Sequence, residues 1–146
     1  MSKKHNEDSR VKIPAILHLV RLGYEYLSLK GATWDIDSNI FPELFKGSIS
    51  KIHPELNADD TNRLLTDIKL DLKNEDLGRA FYRRLIGKTS PKLIDFEHPE
   101  NNSYHVVTEL TCKNGDDEFR PDITLLINGL PLVFIEVKIP NNRQGI

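Results

Sequence analysis

Asp122-Ile123-Thr124-Leu125-Leu126-Ile127-Asn128-Gly129-Leu130-Pro131-Leu132-Val133-Phe134-Ile135-Glu136-Val137-Lys138 is the stretch whose reading decides the fold. Two apolar runs hinge on Asn128-Gly129, a strong short-range signal for a β-hairpin. Asp122, Glu136 and Lys138 then fall together at the open end of the hairpin. Carboxylates and an ammonium grouped in this way can hold a metal ion and a phosphodiester.

The register follows from asking which pairing keeps the faces consistent. If Asn128-Gly129-Leu130 is a three-residue loop with a glycine bulge, Ile127 pairs with Pro131 and Asp122 with Glu136. One face then carries Ile123, Leu125, Ile127, Val133, Ile135 and Val137 and is wholly apolar. The other carries Leu126, Leu132 and Phe134 near the turn, then Thr124, Asp122, Glu136 and Lys138. A two-residue loop slips the pairing by one and sends Glu136 and Lys138 to the apolar face, so the three-residue loop is expected. The two carboxylates are then directly opposed, with Cβ atoms roughly 4.5–5.5 Å apart. Acids so placed repel unless a cation lies between them, and carboxylate and water oxygens are the ligands Mg²⁺ takes. Glu136 and Lys138 are two apart on a strand and share a side, so the ammonium lies where it can orient or activate a water. A Lewis acid that polarises the phosphate and acidifies its water is sufficient for hydrolysis.

The plainer alternative is a solvated strand end, because a bare Glu-x-Lys arises by chance in roughly half of chains this long. The chain supplies two decoys, Asp67-Ile68-Lys69 and Asp71-Leu72-Lys73. Both lie in a helical stretch, where residues two apart do not face each other. Only Glu136-Val137-Lys138 sits on a strand with an acid opposite, so strand context rather than the tripeptide carries the inference.

Asp122 with Glu136-Val137-Lys138, preceded by Pro121, resembles the PD-(D/E)xK nuclease motif. The whole span from Asp122 to Lys138 resembles, more narrowly, the N-terminal domain of the R (restriction) subunit of type I restriction-modification enzymes. Leu22-Gly23-Tyr24-Glu25-Tyr26 and the strand Ser103–Glu109 fit it more loosely. The resemblance implies an α/β restriction-endonuclease-like core, a mixed sheet flanked by helices. It also implies that Asp122 and Glu136 are metal ligands with the backbone carbonyl of Val137, that Lys138 is the catalytic lysine, and that the cofactor is Mg²⁺. The implied activity is that of a type I site-specific deoxyribonuclease module. It would hydrolyse double-stranded foreign DNA, nonspecifically in itself, after ATP-driven translocation by motor domains outside this chain. Modification and specificity subunits would be its partners. Family members often carry another acid on the first helix, but here that stretch reads Val11-Lys12-Ile13-Pro14; Glu7, Asp8 and Glu109 are the candidates to replace it. The family's Gln-x-x-x-Tyr element is unmatched, since Gln144 follows Lys138 too closely. The rival reading keeps the fold without the chemistry, as a noncatalytic DNA-handling or subunit-docking module.

The 146 residues correspond to one domain by length. The resemblance makes residues 1–146 the N-terminal part of an endonuclease domain, incomplete at its C-terminus, with apolar surface left over for self-association. The single cysteine, Cys112, rules out an internal disulfide framework. The polar N-terminus lacks the apolar core of a signal peptide, and no run reaches transmembrane length; a cytoplasmic protein is expected. A net charge of −2 is unusual for a protein that grips DNA alone, so other domains would supply most of the basic track. The local positives are Arg79, Arg83, Arg84, Lys88 and Lys92. Arg83, Arg84 and Lys88 are the candidates for DNA contact, and a solvated helix face is the alternative. Gly87-Lys88-Thr89 is a helix terminus rather than a phosphate-binding loop, because that pattern needs a glycine where Tyr82 stands. His5, His18, His53, His98 and His105 have no metal-ligand spacing.

Upstream of the hairpin a helical framework is expected. One helix should run from about Pro14 to Leu22 and close at Gly23. Residues 29–56 read as irregular, with Phe41, Leu44 and Phe45 in the core. Asn57 should cap a second helix that buries Leu64, Leu65, Ile68 and Leu72. A third should span about Asp76 to Ile86, ending at Gly87. After a loop from Pro91 to Asn102, strands are expected near 104–112, 122–127 and 132–138.

Overall fold

The computed structural model describes residues 8–139. A π-helical turn, Asp8–Lys12, leads into α1 (Ile13–Arg21). Pro14 occupies the first turn of α1, where its missing N–H costs nothing. At the other end the Tyr24 N–H donates to Leu19 and the Gly23 N–H to Val20, both at 3.1 Å, the two bonds of a Schellman stop. The chain then enters a short strand, β1 (Glu25–Tyr26), which the sequence reading did not anticipate.

Helix α2 (Pro42–Ile52) lies inside the stretch expected to be irregular. Pro42 and Gly47, residue types that commonly break helices, are both compatible with this one: Pro42 falls in the first turn, and Gly47 lies on the exposed side. Of the expected core residues, Phe41 and Phe45 are buried, and Leu44 is half-buried against the cluster that holds Phe41. Helix α3 (Ala58–Lys73) opens on a complete capping box. Asn57 Oδ1 accepts from the Asp60 N–H at 2.8 Å, and Asp60 Oδ2 accepts from the Asn57 N–H at 3.1 Å. Because this pair satisfies two otherwise orphaned donors, Asn57→Ala is expected to cost about 1 kcal/mol, read as a lower midpoint in urea unfolding.

Leu64, Leu65 and Ile68 of α3 are buried as expected, but Leu72 is 39% exposed. It lines an open hollow with Phe81, Phe119 and Phe134 instead of reaching the core. Helix α4 (Arg79–Leu85) starts later than expected. Leu77 and Gly78 take positive φ, and the Asp76 carboxylate accepts from the Gly78 and Ala80 N–H groups, so the helix begins only at Arg79. A 3-10 turn, Pro99–Asn101, precedes the strands.

The main sheet has the order β1-β2-β5-β6, with β2 at Tyr104–Thr108, β5 at Ile123–Ile127 and β6 at Leu130–Ile135. β1 runs parallel to β2, and the pairs β2–β5 and β5–β6 are antiparallel. β2 ends earlier than expected, and a separate small hairpin of β3 (Cys112–Asn114) and β4 (Asp117–Phe119) intervenes.

Neighbouring residues of one strand show the layering, because they point to opposite faces. Val106 packs with Ile123, Leu125 and Val137 beneath Ala15, Ile16 and Leu19 of α1. Val107 packs with Leu126, Leu110, Cys112 and Phe41 on the other face, where the core around Phe45, Ile49 and Ile68 of α2 and α3 adjoins it. The architecture is therefore α/β, a mixed sheet between helices, as the resemblance implied. No helix among the described residues is long and apolar enough to cross a membrane.

The hairpin departs from its expected register near the turn and regains it further along. Asn128 and Gly129 have φ of 53° and 77°, and Ile127 pairs with Leu130, so the loop has two residues rather than three. Leu126 pairs with Pro131, but Leu125 pairs with Val133, leaving Leu132 as the extra residue of a bulge. Beyond it Thr124 pairs with Phe134 and Ile123 with Ile135. Ile123, Leu125, Ile135 and Val137 thus share the α1 face, as expected. Ile127, on the turn side of the bulge, packs into the α2–α3 core instead, and Val133 is 41% exposed.

Candidate active site

The two strand ends opposite the turn meet through one hydrogen bond. Asp122 stands just before β5, and its Oδ2 accepts from the Val137 N–H, just past β6, at 2.9 Å. Val137 is buried against the α1 side of the sheet. Alternation therefore turns its neighbours Glu136 and Lys138 to the opposite face, and both are exposed. Asp122, half-buried and next to inward-facing Ile123, takes that same face. Thr124 follows on it, fully buried, with a hydroxyl that has no hydrogen-bond partner.

Beyond Asp122 lies a group of charges, Lys12, Glu109 and Arg120, of which the sequence singled out only Glu109, as a candidate acid. Glu109 directly follows β2 with a φ of 59°, and its N–H donates to the Asp122 carbonyl at 3.3 Å. The Glu109 carboxylate is shared between two cations: Oε1 meets Lys12, and Oε2 meets Nε of Arg120 at 3.1 Å. Lys12 thus places a buried ammonium on the stretch where the resemblance led an acid to be expected, and it joins an acid distant in sequence. Of the proposed replacement acids, Glu109 is engaged with these cations, Asp8 opens the π-helical turn, and Glu7 lies outside the described residues, as does Gln144. Apart from Glu109, the only sequence signal for this group is that Arg120 adjoins Pro121-Asp122.

Asp122, Glu136 and the Val137 carbonyl form an all-oxygen set, the chemistry Mg²⁺ prefers, and that ion commonly uses one or two carboxylates and completes its shell with water. Asp122 Oδ1 and the Glu136 carboxylate have no hydrogen bond or ion pair among the described residues. Among those residues no group of three or more His, Cys, Asp or Glu side chains is arranged around a metal position. The donor set therefore fits a largely hydrated Mg²⁺, not a fully protein-enclosed ion.

The candidates for DNA contact are not brought to this end. Phe81 and Leu85 of α4 pack into the cluster that holds Leu130, at the turn end of the hairpin. Arg83 and Lys88 are exposed, whereas Nε of Arg84 is drawn onto Oδ2 of Asp71 at 2.5 Å, with both side chains largely covered. His105, on β2, is also apart from any ligand group. Burial holds its imidazole below the usual histidine range, against the pull of the Glu25 carboxylate 3.7 Å away.

The chain is similar over nearly its whole length to known proteins. The chain is 29% identical over 167 residues to the "Putative type I restriction enzyme MjaIXP endonuclease subunit" of Methanocaldococcus jannaschii, a match covering 97% of this chain and 16% of that protein. It is 29% identical over 150 residues to the type I restriction enzyme HindI endonuclease subunit of Haemophilus influenzae, covering 84% of this chain and 14% of that protein. A third relative, the "Putative type I restriction enzyme MjaVIIIP endonuclease subunit" of M. jannaschii, is 47% identical over 47 residues, covering 32% of this chain and 4% of that protein. The chain thus spans about a sixth of the length of the first of these relatives. No solved structure gives a significant match. The family model described as type I restriction enzyme R protein N terminus matches residues 4–146, nearly the whole chain, and the chain belongs to that family.

Proposed function

We propose that this chain is the Mg²⁺-dependent endonuclease module of a type I restriction enzyme R subunit, with its active site at Asp122, Glu136 and Lys138. The observation that carries this reading is the bond from the Val137 N–H to Asp122, which draws both strand ends together and leaves Glu136 and Lys138 exposed beside the acid. Asp122 is fixed by that bond through one oxygen and presents the other. Val137, anchored in the core, holds Glu136 and Lys138 on the opposite face, with its own carbonyl as a further ligand. The Lys138 ammonium, two residues from Glu136, steadies the charge that develops on the attacked phosphate and orients the incoming water. Mg²⁺, when bound, supplies Lewis-acid polarisation of the phosphodiester and lowers the pKa of the attacking water.

In this reading the substrate is duplex foreign DNA. Motor domains of the same subunit use ATP to translocate it, and the modification and specificity subunits choose where the complex assembles. Arg83 and Lys88, at the turn end of the hairpin, would touch the DNA track at most remotely from the cut. The reading is tested by titrating Mn²⁺ or Mg²⁺ into the chain calorimetrically. One site is expected, weakened at least 10-fold by Asp122→Asn or Glu136→Gln, whereas the chain lacking both carboxylates should bind no ion there. Undiminished binding in the double variant would move the metal elsewhere and sink the assignment.

A further inference from the structure

Arg120 occupies an unusual position beside this site. Its Nε lies 3.1 Å from Oε2 of Glu109 in an ion pair, yet its side chain remains 55% exposed. Its terminal amino groups have no hydrogen bond or ion pair among the described residues. A guanidinium that meets a carboxylate through Nε leaves its two Nη groups for a further partner. That geometry matches the bidentate recognition of a phosphate, which an ammonium cannot reproduce. Pro121, which is buried, links Arg120 to Asp122 and disfavours a helical conformation at Arg120.

Glu109 contributes a second, independent observation. It holds a φ of 59°, a conformation uncommon for any residue but glycine, asparagine or aspartate, and one that is retained where surroundings demand it. Its N–H bonds the Asp122 carbonyl, and its carboxylate spans Lys12 and Arg120, one oxygen to each. Glu109 thereby ties the backbone of the proposed metal ligand to the side chain of the exposed arginine. An exposed ion pair contributes little to folding, so stability alone does not explain the arrangement.

We propose that Arg120 is a phosphate-contacting residue of this active site, gripping the DNA backbone next to the scissile bond, and that Glu109 is its positioning residue. This rests on the nuclease reading of Asp122, Glu136 and Lys138. Lys12, buried at the head of α1, holds the second oxygen of Glu109 and so stops that carboxylate from swinging away from Arg120.

The test uses the complete R subunit with its partner subunits, unmodified plasmid DNA carrying the cognate site, and the cleavage rate at saturating DNA. Arg120→Ala is expected to slow cleavage about 10–100-fold, the range for one lost hydrogen-bonded contact to a charged group, with ATP hydrolysis unchanged. Arg120→Lys should recover part of the rate, Glu109→Gln should lose less than Arg120→Ala, and millimolar ethylguanidine should partly rescue Arg120→Ala. Lys138→Ala serves as the reference. If Lys138→Ala is inactive while Arg120→Ala cleaves normally, the nuclease reading stands and the role of Arg120 is overturned. If both cleave normally, the nuclease reading itself fails. A slowed Arg120→Ala that neither lysine nor ethylguanidine relieves also overturns the proposal, since the arginine would then act only through the fold.

Discussion

Lys138→Ala is expected to lower DNA cleavage by the assembled restriction complex about 10³-fold while ATP hydrolysis continues at the parental rate. Lys138 is exposed and has no ion pair among the described residues, so its removal does not disturb the fold. A loss of activity would therefore report chemistry rather than stability. Removing one group that transfers protons or stabilises developing charge typically costs about 10²–10⁴ in rate. Asp122→Ala should be at least as severe, because it deletes both a metal ligand and the acceptor for the Val137 N–H. Asp122→Asn separates these effects: its amide oxygen can still accept from Val137, so the strand ends stay joined while the ligand charge is lost. The measurement is nicking and linearisation of unmodified plasmid by the complete complex, run in parallel with ATP turnover. Cleavage at the parental rate by both Lys138→Ala and Asp122→Ala would instead favour a docking or DNA-handling module that has kept the fold without its chemistry.

Gly129→Ala is expected to destabilise the chain by about 3 kcal/mol, combining left-handed strain with overpacking. A Cβ at this position would lie 2.7 Å from the Phe41 carbonyl oxygen and 2.7 Å from the Phe45 nitrogen, both backbone atoms at the head of α2. Backbone cannot step aside as a flexible side chain can, and the φ of 77° already disfavours alanine. The turn is also tied to its surroundings. The Phe41 N–H donates to the Gly129 carbonyl at 2.9 Å. Asn128, fully buried, accepts from the Ser103 N–H and donates to the Leu93 carbonyl and to Asn102. Gly115→Ala is the control, since that glycine also has positive φ but open space around it, and only the backbone strain of about 1 kcal/mol should appear. Urea unfolding of the two variants measures the difference. If Gly129→Ala unfolds at the same midpoint as Gly115→Ala, the hairpin turn is not seated beneath α2 as described.

The elements written in local chemistry were legible. Pro14 and Gly23 bracket α1, Asn57 with Asp60 starts α3, and Asn128-Gly129 makes the hairpin, because caps and turns depend on residues only a few positions apart. The helical decoys at Asp67 and Asp71 were also separable from Glu136, since both fall within α3. Helix α2 was not legible: Pro42 and Gly47 read as breakers, and only their places in the first turn and on the exposed side make them harmless.

For the hairpin, alternation along the chain favoured the register that sets Asp122 opposite Glu136 over the one-residue slip, which sends Glu136 and Lys138 to the apolar face. The route to that register was decided by tertiary structure. A tight two-residue turn fits under α2, where Gly129 touches the backbone of Phe41 and Phe45, and the bulge at Leu132 then restores the pairing at the far end. The surroundings of Asp122 were likewise beyond local reading. Lys12, Glu109 and Arg120 come from the head of α1, the end of β2 and the approach to β5, and Lys12 and Glu109 are separated by 97 positions. A sequence pattern carries short-range preferences of backbone and side chain. Which distant charges meet depends on how the packed layers bring their strand and helix ends together, and only the folded chain contains that information.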